Sequence, residues 1–153
     1  MSIGRLVLRR FNGDEIYLLA SAVLLPVERE GKTDLWLEVT TEPEAVQTVP
    51  DTAEMGMHPS AEVAVTLDHL DLNALVGQTF LVPLGCTEEA ESQLATLCYC
   101  EHQEVNENEI QVLARQGDTW HVRWTGVTAD VNYYDLSKPD TRVEIEGWFT
   151  LSP

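Results

Sequence analysis

The stretch TRVEIEGWFTL, Thr141–Leu151, decides the reading of the chain. Val143, Ile145, Gly147, Phe149 and Leu151 fall on one side, and Arg142, Glu144, Glu146, Trp148 and Thr150 on the other. Successive side chains of a strand point to opposite faces, so this spacing predicts a strand with one buried and one wet face. Working backwards, Asp118 to Thr128 repeats the pattern, with Trp120, Val122 and Trp124 inward and His121, Arg123 and Thr125 opposite. Gly117-Asp118 marks the turn before it. Glu109 to Arg115 alternates through Ile110, Val112 and Ala114. Ala95 to Val105 is β-rich in its second half, and Asn106-Glu107-Asn108 is expected to be the turn that follows. The region Leu94–Leu151 therefore reads as an antiparallel meander.

The N-terminal part reads the same way. Arg5 to Phe11, Ile16 to Val27 and Asp34 to Thr41 are expected to be three strands joined at Asn12-Gly13 and Glu30-Gly31-Lys32. Ile16 to Val27 is apolar on both faces, which predicts a central strand. Arg5, Arg9 and Arg10 ahead of that apolar run have the order of a secretion signal. Asp14 and Glu15 interrupt it, however, and no small-residue cleavage site follows, so a buried strand and a cytoplasmic location are expected.

Glu42 to Ser60, with Pro43, Pro50 and Pro59, reads as a mobile surface loop with at most one helical turn at Pro43–Val46. Glu62 to Leu67 and Thr79 to Leu84 read as strands, the second at an edge because of Pro83. Asp71 is placed to cap a short helix ended by Gly77, and Thr87 a second one reaching Leu94. The sum is an all-β fold: one domain over residues 1–153, an antiparallel sandwich or flattened barrel of eight or nine strands with one or two short helices.

Charge is the most informative global property. The net charge is −17. Between Thr33 and Ala114 there are sixteen Asp and Glu and no Lys or Arg. Nucleic-acid affinity comes mainly from Lys and Arg on phosphates, so no nucleic-acid partner is expected. Anionic membranes are disfavoured for the same reason, and no apolar run reaches the ~18 residues of a membrane span. A basic protein partner is what such a field attracts. Simple solubility, or a salty cytoplasm, accounts for the same acidity.

Few side chains group into a chemistry. Cys98, Cys100 and His102 occupy alternate positions of one expected strand and are metal-ligand types. Same-face neighbours are ~6.6 Å apart, wider than ligands of one zinc, so two packed thiols are the plainer reading. Three cysteines make no disulfide framework. Asp130, Asn132 and Asp135 have oxygen ligands at loop spacing but lack the glycine and the distal glutamate of a calcium loop. His121 and Arg123 are expected to pair with Glu144 and Glu146 across strands. No nucleophile motif and no phosphate-binding glycine loop accompanies them, which argues against an enzyme. No cofactor is expected.

The expectation for function is a non-enzymatic interaction module of inhibitor, immunity-type or adaptor kind, docking a basic partner through its acidic middle. Glu88, Glu89, Glu91, Tyr133 and Tyr134 are its candidate contact residues. The alternative is a small-ligand- or metal-binding β-domain, with or without enzymatic activity, with its site near Cys98, Cys100, His102 or His121.

Overall fold

The computed structural model describes residues 3–53, 55–87, 94–99, 101–133 and 135–152. Among the described residues there are ten strands: β1 (Gly4–Arg10), β2 (Gly13–Arg29), β3 (Lys32–Thr41), β4 (Ser60–Leu67), β5 (Thr79–Val82), β6 (Ala95–Cys98), β7 (His102–Glu104), β8 (Asn106–Gln116), β9 (Thr119–Thr128) and β10 (Thr141–Leu151). They form one sheet in the order β5-β8-β9-β10-β1-β2-β3-β4-β6-β7. Neighbours along that order run antiparallel, and β10 also reaches past β1 to pair in parallel with β2 at Thr150–Val23. The all-β antiparallel expectation holds, and among the described residues no helix is long and apolar enough to cross a membrane.

The sheet curls on itself. Leu24, Leu35 and Leu37 from one half and Ile110, Trp120 and Val122 from the other border the same residual void of about 10 Å³. Leu6, Leu8, Val143, Ile145 and Phe149 extend this core, all fully buried. Inward side chains of both halves thus fill a flattened barrel, and the void they border is no larger than a water molecule.

The two ends of the strand order are stitched at Gly85. Its carbonyl accepts from the backbone N–H of Leu94 (2.7 Å) and Ala95 (3.1 Å), and its own N–H donates to Asn106 Oδ1 (2.8 Å). A Cβ at Gly85 would lie 2.4 Å from the Val105 carbonyl oxygen and 2.6 Å from that of Ala95. Only glycine permits this approach of three backbones.

Four expectations change. Asn106-Glu107-Asn108 is not a hairpin turn. It is the irregular start of β8, where the register slips between Asn106 and Glu109 and Glu107 takes φ 52°. Buried Asn108 holds that bulge: its amide donates to the carbonyls of Val82 and Val105, and its oxygen accepts from Trp124 Nε1 at 2.8 Å. Consequently β6 pairs with β4 and not with β8, so the C-terminal meander is β8-β9-β10 alone. The strand β2 is paired on both sides but wet on its outer face, where Leu18 and Val27 are about two-fifths exposed.

The loop between β3 and β4 is tied down, with Gln47 bridged to Ile16 and Val49 and Thr52 buried. Its Pro43–Val46 segment forms bends, not a helical turn. Asp71 does cap a short 3₁₀ turn, Leu72–Ala74, accepting from the Asn73 N–H. Most of the helix expected over 87–94 lies outside the described residues.

Candidate functional site

Strand parity and register place the acidic residues of the middle region side by side. On β3 the odd residues Leu35, Leu37 and Val39 are buried, which turns Trp36 and Glu38 outward. The register then sets Glu38 opposite Glu62, Glu62 opposite Thr96, and Thr96 opposite Glu104. Neither this row nor the next, Thr40-Ser60-Cys98-His102, contains a Lys or Arg. On the other side lies Leu25 opposite Trp36. A shallow depression of about 430 Å³ opens there, bordered by Leu25, Val27, Trp36, Glu38, Glu62 and His102. Partial burial raises the Glu62 pKa above the usual range, the Glu38 charge adds to this, and His102 opposes it.

Cys98 and His102 share this face, but not one strand. Cys98 ends β6, and His102 faces it from the antiparallel strand β7. The alternation expected over Cys98, Cys100 and His102 is broken by that change of strand. Cys100 lies outside the described residues. Among the described residues no three His, Cys, Asp or Glu side chains are grouped to hold a metal ion.

A second constellation escaped the sequence reading. Arg10 sits inside the end of the barrel with no side-chain exposure, beside Glu15 and Asp130, which have none either. Its guanidinium donates to Glu15 (3.1 Å), twice to Asp51 (2.9 and 2.7 Å) and twice to Asp130 (3.0 and 2.9 Å). Burial works against the Arg10 charge, but these partners outweigh it and its pKa is raised. Asp51 is held well below the usual carboxylate range, chiefly by its hydrogen bonds from Arg10. The other oxygen of Glu15 accepts from the hydroxyls of Tyr17 (2.9 Å) and Tyr99 (2.8 Å). Burial pushes both tyrosines up, Tyr99 to about 12.

One cation thereby fastens β1, β2 and the loops carrying Asp51 and Asp130 at one end of the barrel. The sequence did carry a signal: Arg10 has the inward parity of Leu6 and Leu8, and Glu15 that of Tyr17 and Leu19. Asp130, read above as a possible cation ligand, is committed to Arg10 and to the N–H groups of Asn132 and Tyr133. Asp135 accepts instead from the Ser137 N–H.

Strands β9 and β10 pair as expected. His121 Nε2 lies 3.2 Å from Glu146, and its ring stacks on Trp148 at 5.0 Å. Glu144 binds Arg9 rather than Arg123. Among the described residues no hydroxyl or thiol is hydrogen-bonded to His121, so the pair has the form of a surface ion pair and not of an activated nucleophile.

Of the expected contact residues, Glu88, Glu89, Glu91 and Tyr134 lie outside the described residues. Tyr133 is exposed and meets Phe11 edge-on, with ring centroids 5.8 Å apart. Comparison with protein-family models, curated proteins and solved structures finds no match to this chain.

Proposed function

We propose that the protein is a non-enzymatic interaction module of inhibitor, immunity-type or adaptor kind that acts in the cytoplasm and docks a basic partner on the outer face of β3, β4, β6 and β7. The observation that carries this is the row Glu38-Glu62-Glu104, which has no Lys or Arg within it and is bordered by Trp36, Leu25 and Val27. The Glu62 carboxylate, whose pKa is raised by burial and then by the Glu38 charge, is relieved when a cation arrives. The apolar border supplies the desolvated area that surface charge alone lacks, because exposed ion pairs are individually worth only about 0–1 kcal/mol.

The experiment is capture of partners from the source organism's lysate by the wild type and by E38Q/E62Q/E104Q, at low and at high salt. A basic protein held by the wild type at low salt should dissociate as the Debye length shrinks below about 8 Å. The triple variant should bind it about tenfold more weakly, near the sum of three surface charge contacts. Equal binding by the triple variant rejects this face as the docking site.

A further inference from the structure

From the contacts around Phe11 and Tyr133, we infer that these two rings form a binding corner for an alkylammonium ion, of the kind carried by a lysine or trimethyl-lysine side chain, and that Lys138 is its built-in occupant. This corner is separate from the acidic sheet face, and the inference does not depend on that reading. The Lys138 ammonium lies 5.1 Å from the centroid of Phe11 and 5.3 Å from that of Tyr133. The rings stand at 73° to one another, so both π faces are offered to a single cation. Lys138 makes no ion pair among the described residues. The nearby Asp135 carboxylate feels its charge, but Asp135 is held down first by its hydrogen bonds from Ser137. The ammonium is therefore held mainly by the two rings.

The walls are tied to the buried hub, whereas the occupant is the tip of a long side chain. Phe11 follows the immobilised Arg10, whose guanidinium carbon lies 5.5 Å from the Phe11 ring centre. The Tyr133 N–H donates to Asp130 (3.1 Å), and Asn12 and Asn132, next to the two rings, both donate to Asp51. The hub around Arg10 thus presets the corner before any ligand arrives, which lowers the ordering cost of binding. Lys138 reaches it on a flexible four-carbon stem and gives up rotamer entropy to stay there. Both rings remain about two-fifths exposed, so the corner opens when that stem swings away. A quaternary ammonium is more weakly hydrated than the Lys138 ammonium and is favoured in competition with it.

The test is an NMR titration of the Phe11 and Tyr133 ring resonances. The probes are tetramethylammonium chloride and the Nα-acetyl methylamides of lysine and trimethyl-lysine, each against sodium chloride of equal ionic strength. Saturable shifts are expected in the wild type, strongest for the quaternary ions. Removing the occupant in K138A should tighten binding about three- to sixfold, the factor set by an exposed cation–π contact acting as internal competitor. Shifts should vanish in K138A/F11A and K138A/Y133A and persist in K138A/Y133F, which keeps the ring. The inference is overturned by shifts no larger than those from sodium chloride, by equal affinity in wild type and K138A, or by binding that survives loss of either ring.

Discussion

Replacing Arg10 by methionine keeps most of the side-chain volume and removes the one cation that, among the described residues, pairs with Glu15, Asp51 and Asp130. Two of those carboxylates have no side-chain exposure, so water cannot take over from the guanidinium without opening the end of the barrel. Breaking a buried ion pair by removing one partner costs about 3–5 kcal/mol. With several carboxylates left behind, R10M belongs at the upper end. For a chain of this length each kcal/mol moves the midpoint by about 2–4 °C, so the melting temperature should fall by roughly 10–20 °C.

The pH dependence carries a sign. The folded pKa of Asp51 lies below its unfolded value, so its contribution is present above about pH 3.9 and is lost as the pH falls toward the folded pKa. Most of that depression comes from Arg10 and is missing in R10M. The gap between wild type and R10M should therefore narrow below about pH 4. The assay is urea unfolding followed by circular dichroism at pH 7 and at pH 3.5. R10M/E15Q/D130N, which removes the orphaned buried charges as well, should recover part of the loss, because whole ion-pair networks are often replaceable at little cost. R10M within about 1 kcal/mol of wild type at pH 7 would refute the account of Arg10 as the fastening of that end.

Two further substitutions probe other parts of the argument. G85A places a methyl group against three backbone atoms that cannot step aside and should cost about 2–3 kcal/mol by the same unfolding assay, with amide exchange accelerating in β6 and in the first residues of β8. E62Q removes a carboxylate whose folded pKa is raised, so the charged form is disfavoured by folding at neutral pH. The variant should be more stable than wild type at pH 7, and the difference should disappear as the pH falls below about 4.3, where the unfolded-state glutamate also protonates.

The strands were legible from period-two alternation, because a barrel with one dry face imposes that period on every strand it contains. Thr141–Leu151 and Thr119–Thr128 show it most plainly: their inward residues are the ones the structure buries. Alternation says nothing about which strand lies beside which. The Ala95–Val105 region is two short strands that join β4 at the far end of the order, and that placement depends on backbone hydrogen bonds through Gly85. The acidic row was visible only as composition. Its alignment required the register of β3, β4, β6 and β7, which long-range pairing sets.

The chain by itself determined its fold class, the dry face of most strands, and the acidity of its middle, since these follow from local periodicity and residue counts. Only the tertiary structure decided that Arg10 gathers carboxylates from positions 15, 51 and 130, and that Phe11 and Tyr133 close on Lys138. Arg10 and Asp130 alone are 120 residues apart in the chain, and hydrogen bonding and charge act over a few ångströms of space whatever the sequence separation.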